Sequence, residues 1–133
     1  MRYLLDTNIC IYIMNRRPLT VFRKFKQFDI GDIGISSITA SELYYGTRKS
    51  SRPEENIQRL WAFLLPFEVV SYDEAAANAY GDIRVDLERK GKVIGPLDML
   101  IAAHALSLGL ILVTNNVREF QRIPGLPVEN WLS

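Results

Sequence analysis

Apolar residues recur along the chain in runs of two kinds. Arg2-Tyr3-Leu4-Leu5, Ile33 to Ser36, Phe67 to Val70 and Leu110 to Val113 are brief and almost wholly apolar or β-prone. Such runs suit strands buried on both faces. Longer segments between them carry apolar residues three and four apart. Ile9 to Met14 follows Thr7-Asn8, which can start a helix. After a break at Pro18, Val21, Phe25 and Phe28 fall at i, i+4 and i+7 and predict a helix over 20–28. Gly31 and Gly34 bracket an expected turn. Ser36 or Ser37 is expected to cap a helix from Ile38 to about Lys49, and Pro53 to open another through Leu65, stopped by Pro66. Asp73, or Ser71 with Glu74 in a capping box, starts a long helix that ends at Gly91. Pro96 opens a helix over 97–108, ended by Gly109. Asn115-Asn116 marks a turn, Val117 to Phe120 a helical turn, and a last strand is expected near Val128. Alternating strands and helices predict an α/β fold, with a central parallel sheet of four to five short strands flanked by helices on both faces.

Length sharpens this picture to one domain over residues 1–133. A single cysteine, Cys10, excludes a disulfide framework and a cysteine-based zinc site. A single histidine, His104, excludes His-rich metal sites and argues against a His-led triad. Both are expected in the core or at an interface, Cys10 as a small hydrophobe. The N-terminus reaches Asp6 too early for a signal peptide, and no apolar run approaches the ~18 residues of a membrane span. The expected setting is a reducing cytoplasm, away from any membrane. Net charge is only +1, but its distribution is uneven. Residues 1–52 carry nine Lys/Arg against four Asp/Glu, and residues 53–133 carry seven against eleven. Arg16, Arg17, Arg23, Lys24 and Lys26 lie in one acid-free stretch, and Arg48, Lys49 and Arg52 form a second cluster. Clusters like these can bind a phosphate backbone, or can simply be solvated faces.

Ligands of open parallel sheets bind beyond the carboxyl ends of the strands. Asp6 ends the first predicted strand, Asn115 and Asn116 follow the Leu110–Val113 strand, and the helix bearing Glu42 starts where the Ile33–Ser36 strand stops. Asp98 falls in the first turn of its helix. A cap or a helix-dipole role would explain Asp6 or Asp98 alone. Glu42 is different, because Ile38 and Tyr45 place it on the apolar stripe of its helix. A carboxylate there must be paired, protonated or bound to a metal. Carboxylates gathered without His or Cys select a hard ion, Mg²⁺ or Mn²⁺ in its place. The chemistry expected of that set is metal-dependent hydrolysis of a phosphodiester.

Four blocks then carry a family likeness: Leu4-Leu5-Asp6-Thr7-Asn8, Ser36-Ser37-Ile38-Thr39-Ala40-Ser41-Glu42-Leu43-Tyr44-Tyr45-Gly46, Gly95-Pro96-Leu97-Asp98-Met99-Leu100-Ile101-Ala102-Ala103-His104-Ala105 and Val113-Thr114-Asn115-Asn116-Val117-Arg118-Glu119-Phe120. In order and spacing they resemble the PIN-domain nucleases, and among these the VapC toxin branch of type II toxin–antitoxin systems. The resemblance implies a PIN-like fold and a Mg²⁺-dependent endoribonuclease. Its acidic cluster maps to Asp6, Glu42 and Asp98, with Asp6 and Asp98 on the metal and Glu42 orienting or deprotonating the attacking water. Many members carry a fourth acid where this chain has Asn116; Asn116 is expected to hydrogen-bond a metal-bound water, Glu119, one turn later, to supply the missing carboxylate, and Glu42 to count with Asp6 and Asp98 among the metal-site residues. Thr7 and Thr114 match hydroxyls that orient the acids. Arg16, Arg17, Arg23, Lys24, Lys26, Arg48 and Lys49 are the expected contacts to the RNA backbone. The resemblance further implies a VapB-like antitoxin, a homodimer within a larger toxin–antitoxin complex, and a structured RNA substrate, above all tRNA. The pattern resembles members that cut initiator tRNA in its anticodon stem-loop and so inhibit translation.

Other readings fit less well. A haloacid-dehalogenase-like phosphatase needs an acid at position 8, which is Asn8. A dinucleotide site needs Gly-x-Gly-x-x-Gly after the first strand, and none is present. A catalytically silent PIN-fold RNA-binding or interaction protein is the remaining alternative, and the intact Asp6, Glu42 and Asp98 argue against it.

Overall fold

The computed structural model describes residues 1–132. Five short strands form one sheet: β1 (Tyr3–Leu5), β2 (Ile33–Ser36), β3 (Glu68–Val70), β4 (Ile111–Val113) and β5 (Val128–Glu129). All pairings are parallel, in the order β3-β2-β1-β4-β5. Two helices, α1 (Thr7–Asn15) and α2 (Leu19–Phe25), connect β1 to β2. Another pair, α3 (Ser37–Lys49) and α4 (Pro53–Leu64), leads on to β3. The chain then crosses back beneath the sheet through α5 (Glu74–Arg89) and α6 (Pro96–Leu108) to β4, and α7 (Val117–Phe120) precedes β5. The α/β architecture with both faces covered is therefore the one the apolar pattern predicts.

The central strand is buried along its whole length, and its side chains alternate between two cores. Tyr3 and Leu5 pack with Ile33, Ile35, Ile9, Ile13, Leu60 and Trp131 on one face. Leu4 packs with Leu112, Ile83, Leu87, Met99 and Ala102 on the other. This period-two alternation pins the register, because a one-residue slip would turn each side chain onto the wrong face. Reversal of direction at β1 matters most for function. β2 and β3 lie to one side of β1, β4 and β5 to the other, so the carboxyl ends of β1 and β4 flank a topological switch point.

Three local expectations change. The helix expected over 20–28 stops at Phe25, and residues 26–28 follow as tight turns, with Gln27 N–H donating to Lys24 O and Phe28 N–H to Phe25 O. Phe28 keeps its place in the apolar period because it stacks on Trp131, 5.2 Å between ring centroids, and meets Tyr3 at 4.8 Å. Packing, not helix continuation, accounts for its spacing. Gly34 is not a turn residue but lies inside β2, where the Met1 side chain occupies the space a Cβ would take. Glu42 is not on the buried stripe of α3. That stripe is Thr39, Ala40, Leu43 and Thr47, while Tyr45 is 65% exposed, so Glu42 sits at its margin.

His104 is a core residue, as expected. Its Nδ1 lies 2.8 Å from Ser36 Oγ, and Ser36 Oγ also accepts the Ile38 N–H that starts α3. Burial holds its pKa below the usual histidine range. Cys10 is likewise buried, and burial pushes its thiol up.

Candidate active site

At the switch point the polypeptide turns from strand to helix at Asp6. Its backbone N–H donates to Val113 O at 3.0 Å, extending the β1–β4 ladder by one residue. Its extended backbone and side chain then cap α1, Oδ1 accepting the Ile9 N–H at 2.9 Å. Asp6 itself is the cap, one residue earlier than the Thr7-Asn8 start. It is buried, at 6% exposure, and Thr114 from the end of β4 also hydrogen-bonds its carboxylate. The Thr114 hydroxyl accepts the Asn116 N–H at 2.9 Å, so one side chain joins the β4 turn to the acid.

Glu42 reaches the site from α3. Thr7, the first residue of α1, donates its hydroxyl to Glu42 Oε1 at 2.7 Å. Asp98 comes from the first turn of α6, which opens at Pro96 with no side-chain cap. Glu119 closes the far side from α7. Its Oε1 accepts the Gly95 N–H at 3.1 Å, and its Oε2 accepts from the Asn116 side-chain amide. Asn116 therefore acts on Glu119. A Cβ on Gly95 would lie 3.5 Å from Asp98 Oδ2 and 4.0 Å from Glu119 Oε1, so both carboxyls lie against the same backbone position.

Electrostatics join these four acids into one group. Burial pushes the Asp6 carboxyl up to about 6 against the lowering effect of Thr114 and Ile9, and the charges of Glu42 and Glu119 push it further. Burial also raises Asp98, up to about 7, helped by the charge of Glu119, a hydrogen bond to it, and the charges of Asp6 and Glu42. Among the described residues, none of the four is in an ion pair; the salt bridges found lie elsewhere, at Arg52–Glu55, Arg84–Glu88 and Lys90–Asp86. Two carboxyls raised toward neutrality, beside two more, form a site short of positive charge.

Oxygen donors carrying excess negative charge suit a hard divalent ion and offer nothing to a soft one. The donor chemistry therefore fits Mg²⁺ or Mn²⁺. Geometrically the acids stand apart: among the described residues no three Asp, Glu, His or Cys side chains converge closely enough to hold an ion. Thr7 holds Glu42 on one side and Gly95 with Asn116 holds Glu119 on the other, and mutual repulsion opposes closer approach.

The basic clusters are not drawn into this centre. Arg16 and Arg17 follow the far end of α1, about 14 Å along the helix from its cap. Arg16 and Lys26 lie over Phe22, and Lys24 over Phe28. Arg23 is exposed on α2, Arg48 and Lys49 end α3, and Lys49 lies over Tyr45. Sequence reasoning missed two contacts of the site. Gly95 serves through its backbone N–H, which has no side-chain signature. Tyr12 accepts from the Asn115 amide at 3.2 Å, a contact 103 residues apart in sequence that only the β1–β4 pairing explains.

Parallel strands in this order, with acids gathered at the switch point, define the PIN domain, and that family matches residues 3–126. The chain belongs to the PIN-domain family, in its VapC ribonuclease branch. It is 48% identical over 132 residues to Ribonuclease VapC2 of Haemophilus influenzae, covering 99% of each chain. It is 46% identical over 131 residues to the tRNA(fMet)-specific endonuclease VapC of Shigella flexneri, covering 98% of each. Its fold superimposes on the crystal structure of DNA-bound VapBC from Salmonella typhimurium with a TM-score of 0.92, at 45% identity and 98% coverage of both chains.

Proposed function

We propose that the protein is a divalent-metal-dependent endoribonuclease, the toxin of a toxin–antitoxin module. The observation that carries this reading is the unpaired acid group at the β1–β4 switch point, with Asp6 and Asp98 pushed to about 6 and 7. Asp6 and Asp98 are the residues that would hold the ion, with Glu42 and Glu119 at its margins. Bound there, Mg²⁺ or Mn²⁺ would lower the pKa of a water and neutralise charge on the phosphate.

This chain's own residues supply orientation. Ile9 N–H and Thr114 orient the Asp6 carboxylate. Thr7 fixes Glu42, leaving one carboxylate oxygen to orient the attacking water and take its proton. Gly95 and Asn116 fix Glu119 beside Asp98. Attack of water oxygen on phosphorus in line with the 3′ oxygen breaks the P–O3′ bond. The products are a 5′-phosphate and, once the 3′ oxygen is protonated, a 3′-hydroxyl.

The relatives' names support RNA as substrate, and the Shigella flexneri relative supports initiator tRNA, whose anticodon stem-loop offers an unpaired strand. Cleavage there would inhibit translation in the cytoplasm. The Salmonella typhimurium complex supports a VapB-like antitoxin and a toxin–antitoxin complex; within it the protein is proposed to act as a homodimer. No helix of the described residues is long and apolar enough to cross a membrane. Arg16, Arg17, Arg23, Lys24, Lys26, Arg48 and Lys49 are proposed to steer the RNA backbone.

Incubation of the protein with tRNA in Mg²⁺, in EDTA and as Asp6→Asn tests this reading. Cleavage in Mg²⁺ alone, leaving 5′-phosphate ends, is expected. Cleavage that survives EDTA, or an Asp6→Asn protein as active as the native one, would contradict it.

A further inference from the structure

A cleft of about 230 Å³ opens beside Glu42, between α1, α3 and α4. Ile11, Met14, Leu43 and Leu60 give it apolar walls, and Asn15, Thr47, Asn56 and Arg59 line its rim. Its near end is a carboxylate already placed in the proposed active site. Beyond Thr47, α3 ends with Arg48 and Lys49, and Arg52 precedes α4. Resting on the nuclease reading above, we propose that this cleft is a base-recognition subsite, which receives one unstacked nucleobase of the RNA next to the scissile phosphate.

Size favours a base. The cleft is smaller than the ~300–1,000 Å³ of drug-sized ligand pockets. It is also too small for a peptide helix, which is ~10–12 Å across with its side chains. Apolar walls with a few polar groups at the rim suit a heterocycle, whose faces are apolar and whose edge carries donors and acceptors. The rim is held in place. Arg59 Nη2 donates to Met14 O at 3.4 Å and Asn15 Oδ1 at 3.3 Å, bridging α4 to the end of α1. Asn56 Nδ2 donates to Ser50 Oγ at 2.9 Å. These bonds leave the Asn15 amide N–H groups and further Arg59 N–H groups as donors, and Asn56 Oδ1 as an acceptor, for a base edge. Charge follows the same path. The scissile phosphate would sit at the acid centre, the base in the cleft, and the next phosphate near Arg48, Lys49, Arg52 and Arg59. Selection of the cleavage position by this base, and not only by the fold of the RNA, is the consequence.

Gly46 provides the test, because it lines the cleft and a Cβ there meets no atom within 4 Å. Gly46→Ala, Gly46→Leu and Gly46→Phe add increasing volume to the cleft in a helix that gains propensity from each change. The substrate is a synthetic anticodon stem-loop RNA, intact or with a single abasic nucleotide at each loop position in turn. The expected result is a loss of cleavage that grows with side-chain size, about tenfold or more for Gly46→Leu, as for losing one base contact. One abasic position next to the cut should lower native cleavage similarly and leave Gly46→Leu no slower. Thermal midpoints of the variants check that the fold is retained. Equal cleavage by native protein and Gly46→Phe would overturn the subsite, as would a loss additive with every abasic position. A Gly46→Leu protein that cuts RNA normally but no longer binds its antitoxin would also overturn it, by giving the cleft to a protein partner. Absence of any Mg²⁺-dependent cleavage by the native protein would overturn the nuclease reading itself.

Discussion

Charge is handled in opposite ways on α5 and at the carboxyl end of β1. Along α5 and its end, Arg84 pairs with Glu88 at 3.3 Å and Lys90 with Asp86 at 2.8 Å, each one helical turn apart. Every one of those side chains is at least a third exposed, so water screens the pairs and each adds little. At the switch point the charges of Glu42 and Glu119 act on Asp6 and Asp98, and among the described residues no cation is paired to any of the four. The first arrangement keeps a surface soluble at almost no cost. The second opposes folding, and nothing in the packing requires it. Asp6 caps α1, and Glu119 accepts the Gly95 N–H, but an uncharged amide oxygen would accept either backbone N–H as well.

The largest expected effect comes from breaking the acid group. Asp98→Asn keeps the shape and removes a charge where an ion would supply several kcal/mol, so RNA cleavage should fall at least about a hundredfold. End-point assays on tRNA in saturating Mg²⁺ measure it. Next comes the basic surface, where reversing Arg23 and Lys24 to Glu should weaken RNA binding at low salt. Each lost phosphate contact should flatten the slope of log affinity against log salt by ~0.7–0.9, measured by filter binding. A smaller change is expected in stability. Asp6→Asn should raise the melting midpoint of the metal-free protein at pH 8 by a few degrees, about what relief of 1 kcal/mol gives in a domain of this size. At the other extreme, Lys90→Ala should leave cleavage unchanged and shift the midpoint by about 1 °C or less. A large effect there would erase the contrast between the two regions.

Legibility in the sequence divides along similar lines. The central strand runs were legible because a sheet covered on both faces favours apolar residues on both sides of β1 and β4, and Leu4 and Leu5 serve two different cores. Asp6 and Asp98 were legible because they sit at element boundaries, where a strand end or a helix start fixes their place. Glu42 was found for a reason the structure does not support. It lies at the margin of the α3 stripe, and its restraint is the Thr7 hydroxyl 35 residues away. The end of α2 was misplaced because Phe28 satisfies a helical period while packing from a turn. The bond from Gly95 to Glu119 was invisible, since a backbone N–H looks alike at every position. Charge clustering in the first 52 residues was plain, but its distance from the acid centre depends on the direction of α1 and α3 away from the strand ends.

The central claim is that the acid group stores repulsion that a divalent ion relieves. Carboxyls raised to about 6 and 7 stabilise the fold through their neutral forms. That contribution is complete below the ordinary carboxylate pKa near 4 and is lost as pH rises through 6 and 7. The direct measurement is the melting midpoint of native protein and Asp98→Asn from pH 4 to pH 8, with and without Mg²⁺. Without metal, the native midpoint should fall relative to the variant between about pH 4 and pH 7 and change little more above that. With Mg²⁺ the native protein should regain that loss and the variant should gain little. Parallel pH profiles in EDTA, or an equal Mg²⁺ shift in both proteins, would contradict the account.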